Sequence, residues 1–190
     1  MIIWIASYPK SGNTWVRSLL SSYLYSSNGT FNFDLLLKIQ KFPSELFLEP
    51  FLKDFTDPRK VSKYWIPSQD KINLGNDNIF LKTHSALCTF ENNSFTNKRN
   101  TKAAIYIVRD PRNVITSLSH HNSLSISDAF TFLTNSNQII AKEQWGGREF
   151  GMATVLGSWS DHYKSWRDIN FASILIVRYE DLINDIKKTF

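Results

Sequence analysis

The sequence predicts an α/β domain of three layers, α/β/α, with helices on both faces of a mostly parallel central sheet. Two observations carry that expectation. Apolar runs at residues 2–6, 103–108 and 172–177, with a shorter one at 78–82, are continuous rather than alternating. Strands covered on both faces require that pattern. Helical patterns separate the runs, which is the signature of parallel strands joined by crossovers. Trp15, Leu19, Leu20 and Leu24 recur at helical spacing after the first run, as do Val114 and Leu118 after the third. Residues 35–55 also carry helically spaced apolar residues, broken by Pro43 and Pro50. The polar stretch 89–102, rich in Asn, Ser and Lys, reads as an exposed excursion within one domain spanning 1–190.

Composition narrows the class. With 190 residues, 42% hydrophobic and 14% aromatic, the chain has a core's worth of apolar residues, unlike a disordered, collagenous or coiled-coil sequence. No apolar run approaches the roughly 20 residues a bilayer-crossing helix needs, so no membrane span is expected. Met1 opens directly into a strand-like run without a basic leader, and Cys88 is the single cysteine. The expected compartment is therefore the cytoplasm, with neither a disulfide nor a Cys-based metal site. The net charge of +5 favours an anionic ligand. Its basic residues are scattered rather than gathered in a stripe, so a nucleic-acid partner is not expected.

The first strand runs into Ser7-Tyr8-Pro9-Lys10-Ser11-Gly12-Asn13-Thr14-Trp15, where a helix begins. A tight Gly-containing turn, a Lys, hydroxyl side chains and a helix N-terminus together make an anion cradle. The pattern G-x-x-x-x-G-K-[ST] is absent, which leaves a nucleoside-triphosphate P-loop unsupported. Downstream, Arg109-Asp110-Pro111-Arg112 follows the run at 103–108, with Ser117 on the next helix. An Arg fork and a hydroxyl can hold one phosphate, and a strand-end ion pair between Arg109 and Asp110 is the alternative. Lys82-Thr83-His84 closes the shorter run, at the strand end where open parallel sheets bind ligands.

These segments resemble, in the expected order, the motifs of the PAPS-dependent sulfotransferases, PAPS being 3′-phosphoadenosine 5′-phosphosulfate. Residues 8–15 look like the family's 5′-phosphosulfate loop, residues 109–117 like its 3′-phosphate motif, and 82–84 like its Lys-Thr-His segment. Gly157-Ser158-Trp159-Ser160-Asp161-His162-Tyr163-Lys164-Ser165-Trp166 resembles its Gly-Ser-Trp-x-x-His-x-x-x-Trp helix, assigned here mainly to core packing. Arg178-Tyr179-Glu180-Asp181-Leu182 resembles the segment whose Tyr approaches the adenine.

The resemblance implies a P-loop NTPase-like sulfotransferase fold. It implies transfer of a sulfuryl group from PAPS to a hydroxyl or amine acceptor, a small molecule or a saccharide. By the same resemblance His84, Lys10 and Lys82 are the catalytic candidates. Lys10, Ser11, Gly12, Asn13, Thr14, Trp15, Arg109, Ser117 and Tyr179 are the candidates for holding PAPS or its product PAP. No metal is implied. His120 and His121 border either the acceptor site or an exposed helix end. The family continues its Lys-Thr-His with Leu-Pro, where this chain has Ser85-Ala86. No segment matches the family's C-terminal Arg-Lys-Gly loop, and Trp145-Gly146-Gly147-Arg148 is not a replacement for it. The sequence ends inside a helical pattern, which predicts an incomplete domain that binds PAP but turns over little acceptor. The alternative to the enzyme is accordingly a truncated, non-catalytic PAP-binding relative.

Overall fold

The computed structural model describes residues 1–75, 77–140 and 152–190. Along the chain they form β1 (Ile2–Ser7), α1 (Asn13–Tyr25), β2 (Gln40–Lys41), α2 (Glu45–Leu48), α3 (Pro58–Ser62), α4 (Trp65–Ile72), β3 (Ile79–Thr83), β4 (Thr89–Phe90) and β5 (Asn93–Ser94). Then come β6 (Thr101–Val108), α5 (Pro111–Asn122), α6 (Ile126–Thr134), β7 (Ile139–Ile140), β8 (Thr154–Val155), α7 (Trp159–Arg167), β9 (Ser173–Arg178), α8 (Tyr179–Asn184) and α9 (Ile186–Thr189). The main sheet has five strands in the order β2-β3-β1-β6-β9, and every pairing in it is parallel. The four runs singled out in the sequence are its four longest strands.

Both faces are covered, which is why the runs are continuous. Ile2, Trp4 and Ala6 of β1 enter one core with Trp65 of α4 and Trp166 of α7. Ile5 points the other way, to Val16 of α1 and Leu182 of α8. The result is the expected three-layer sandwich. Trp4 is fully buried among Phe42, Phe95 and Trp166, and its indole N–H donates to Thr101 Oγ1 at 3.0 Å.

Two expectations are corrected. Residues 35–55 form not an interrupted helix but a 3-10 turn (Phe33–Lys38), the two-residue edge strand β2 and the single turn α2. Pro43 and Pro50 remove backbone donors on either side of α2, so no longer helix can propagate. The stretch 89–102 is no simple exposed excursion either. It makes the β4–β5 hairpin and then drives Phe95, fully buried, against Trp4 and Trp65. Burying a Phe side chain contributes about 1.5–3 kcal/mol, enough to hold a polar segment on the sheet. Gln69 Nε2 donates to the Phe95 carbonyl and Thr96 Oγ1 to Gln69 Oε1, so the buried polar atoms there are satisfied.

Register positions the site. Ala6 pairs with Thr83, Ser7 with Ile107, and Val108 with Arg178, so the C-terminal ends of β3, β1, β6 and β9 finish at one level. Among the described residues, no helix is long and apolar enough to cross a membrane.

Candidate active site

A cavity of about 260 Å³ opens at that level. It is lined by Lys10, Gly12, Asn13 and Thr14 from the β1–α1 turn, by Lys82 and His84 from the end of β3, and by Arg109, Ser117 and Tyr179. Nine of the residues singled out in the sequence thus meet in one place, although they come from five separate stretches of chain. Ser11 and Trp15 do not line it. Ser11 is buried beneath the turn, and Trp15 packs edge-on against the Tyr179 ring at 5.6 Å. His121 joins the lining one helical turn after Ser117, whereas His120 is exposed and outside it. Segment 145–148 lies outside the described residues.

The turn is shaped by its backbone. Lys10 has φ +67° and Gly12 φ +97°, both left-handed, a conformation that costs a side-chain-bearing residue about 1–2 kcal/mol. Gly12 caps α1 without a side-chain cap, and the first bond inside the helix runs from Val16 N–H to its carbonyl. The N–H groups of the first turn therefore point out of the helix end toward the cavity. Asn13 is a refinement of the sequence reading: its amide nitrogen donates to the Ile5 carbonyl at 3.0 Å and to Ser7 Oγ at 3.1 Å. Its side chain fastens the helix start to β1.

Arg109 is held by geometry rather than by a carboxylate. Its Nη1 donates to the Lys10 carbonyl at 2.9 Å, and its guanidinium carbon lies 4.3 Å from the centre of the Tyr179 ring. Asp110 turns away to cap α5, accepting from Arg112 N–H at 2.9 Å, and pairs with the Arg112 side chain. The strand-end ion pair between Arg109 and Asp110 does not form. Among the described residues, no Asp or Glu lines the cavity, while Lys10, Lys82 and Arg109 do. Among the described residues, four buried polar atoms of these segments, Tyr8 OH, Ser11 Oγ, Asn13 Oδ1 and Arg109 Nε, have no hydrogen-bond partner. A Cβ on Gly12 would stand 2.5 Å from Tyr179 Cδ2, so the turn fits closely under that ring only as Gly. A hollow lined by three cationic side chains and, among the described residues, by no acid fits a polyanion.

His84 is buried, and burial together with the Lys82 charge pushes its pKa well below the ordinary 6.5. Its Nδ1 lies 2.7 Å from the Ser7 carbonyl. A carbonyl only accepts, so the proton sits on Nδ1 and the basic lone pair on Nε2. Sequence reading missed the support behind this ring. His162 Nε2 reaches the His84 carbonyl at 3.0 Å, and Tyr106 OH reaches His162 Nδ1 at 2.9 Å. His162 sits in the motif assigned to packing, and its helical spacing from Trp166 was the available signal.

Known proteins resemble this chain throughout. The family profile described as Sulfotransferase domain matches residues 2–190. A rabbit (Oryctolagus cuniculus) amine sulfotransferase is 26% identical over 98% of this chain and 52% of its own length. Human sulfotransferase 2B1 is 27% identical over 97% of this chain and 43% of its own length. The chain thus spans about half the length of the curated relatives it matches. Among solved structures, mouse sulfotransferase SULT7A1 complexed with PAP superposes with a TM-score of 0.55, at 22% identity, covering 98% of this chain and 54% of that one. That likeness is one of fold, the P-loop NTPase-like fold of sulfotransferases. With a profile match running from the second residue to the last, this chain belongs to the sulfotransferase domain family.

Proposed function

We propose that the cavity binds PAPS and that the protein transfers its sulfuryl group to a hydroxyl or amine acceptor, leaving PAP. The observation that carries the reading is the meeting of Lys10, Lys82 and Arg109 with an open helix N-terminus, with no carboxylate among the described lining residues. The bisphosphate of PAP would meet a cation near each end. Lys10 and the first amides of α1 take the 5′ side, while Arg109 and Ser117 take the 3′-phosphate. The Tyr179 ring flanks the nucleoside.

When bound, PAPS supplies the sulfuryl group and a phosphate leaving group. The chain's residues do the rest. His84 accepts the acceptor's proton at Nε2, and burial keeps the ring neutral and able to do so at pH 7. Lys10 faces the negative charge that gathers at the leaving end, and Lys82 orients the transferring group. The acceptor class is a small molecule or saccharide. The amine in the name of the rabbit relative falls inside it.

Calorimetry with PAP and ATP, and an assay with labelled PAPS and mixed phenol, amine and sugar acceptors, test this. PAP binds more tightly than ATP. Lys10→Ala weakens PAP by about 1.5–3 kcal/mol, roughly ten- to hundredfold, and lowers turnover further. Unchanged turnover in Lys10→Ala, or tighter binding of ATP, would overturn the reading.

A further inference from the structure

The two buried histidines are wired to each other through the backbone. His162 Nε2 lies 3.0 Å from the His84 carbonyl, so that nitrogen carries a proton and donates it. The ring is neutral, its pKa held down to about 4 by burial, so Nδ1 is an acceptor and Tyr106 OH donates to it at 2.9 Å. His84 in turn donates from Nδ1 to the Ser7 carbonyl. The wire runs Tyr106 to His162 to His84 to Ser7, linking β6, α7, β3 and β1. Four residues further along α7, Trp166 Nε1 donates to the Ser85 carbonyl at 3.0 Å, and Ser165 Oγ accepts from Leu87 N–H at 3.0 Å. One helix face therefore grips the backbone that carries the His84 ring. The His162 ring also packs at right angles to that of Tyr8 at the start of the β1–α1 turn, their centres 5.4 Å apart.

A buried His most often serves as a core residue with its hydrogen bonds satisfied. What separates His162 from that role is the address of its donor, the main chain of the residue whose ring faces the cavity. We propose that His162 is a positioning residue for His84: the hydrogen bond from its Nε2 sets the main-chain orientation from which the His84 ring reaches Ser7 and keeps the His84 Nε2 basic. This rests on the reading of His84 as the proton acceptor. An apolar side chain of equal volume would fill the space but take the His162 donor away from the buried His84 carbonyl, which turns toward another donor. The ring would turn with it.

The test is nitrogen NMR of the imidazoles in the full 190-residue chain, alongside PAP titration. In the native protein His84 shows one tautomer, protonated at Nδ1. In His162→Leu that signature is lost to a mixture, while PAP affinity is retained. In His162→Gln, whose amide can donate to the same carbonyl, the single tautomer returns. His162→Met, whose flexible side chain fills the site with less strain, replaces the Leu variant if that one does not fold. In the turnover assay, a misplaced base of this kind lowers kcat by about a hundredfold with KM little changed, and Gln restores most of it. A native-like His84 spectrum in folded His162→Leu or His162→Met overturns the inference. A native chain that does not bind PAP overturns the reading beneath it and leaves the coupling between the two rings to be judged on the spectra alone.

Discussion

Gly12 answers to two demands at once. Its φ of +97° excludes most side chains, and the Tyr179 ring occupies the place where a Cβ would go. Tyr179 carries the Arg109 guanidinium on its face, and Arg109 holds the Lys10 carbonyl. A methyl at position 12 therefore displaces Tyr179, then Arg109, then the turn. Gly12→Ala is expected to lose about 1–2 kcal/mol of stability from backbone strain alone. It is also expected to weaken PAP about tenfold or more, as Arg109 leaves its place. Adding Tyr179→Ala relieves the clash, so the double variant regains stability over the single one in thermal melts. A Gly12→Ala protein that melts and binds PAP like the native chain would refute this coupling. At this scale most of the cavity could be read in the sequence, because the β1–α1 turn, Lys82 to His84 and Arg109 to Ser117 are short segments whose chemistry is local. The bond from His162 to His84 escaped notice because the two lie 78 positions apart, and no local pattern reports a bond to a distant main-chain carbonyl.

The helix α7 shows how an element can look like packing and still serve the site. Its Trp166 fills the core beside Trp4 and Phe95, as the sequence suggests, yet its indole nitrogen also donates to Ser85. Trp166→Phe keeps an aromatic ring but strands that carbonyl. The expected cost is about 1–3 kcal/mol for the unbonded group, with a further loss for the missing ring volume. Chemical denaturation measures it. A loss no greater than that of a core Trp without a hydrogen bond would show that the Ser85 contact is idle. The long strands were legible because double burial makes each of them a continuous apolar run. β2 was not, since two residues cannot display a period, and neither was the descent of Phe95, which depends on Trp4 and Trp65 arriving from elsewhere.

For the whole molecule, two neutral histidines in the interior predict how it meets acid. His84 and His162 both have folded pKa values below the ordinary 6.5, His162 at about 4. An unfolded chain binds protons at these rings from pH 6.5 downward, while the folded one does not. Stability is therefore at its full value above 6.5 and declines as pH falls toward 4, by up to about 1.4 kcal/mol per pH unit for each ring. Melting temperatures across pH 7.5 to 4.5 read the slope, and His162→Gln removes one ring's share of it. A flat profile, or a slope unaltered in that variant, would contradict the burial of these rings as neutral groups.

The wire between strands has a consequence for how the protein comes to exist. Its contacts join positions 77, 78 and 56 residues apart, so closing them costs loop entropy that local structure does not repay. A chain emerging from the ribosome can form α1 early, since its hydrogen bonds are local. It cannot fix the His84 ring until position 162 has been made and α7 has docked. The helix α1 is thus an early product of folding and the fixed His84 ring a late one, and assembly of the cavity closes with the slow, long-range steps.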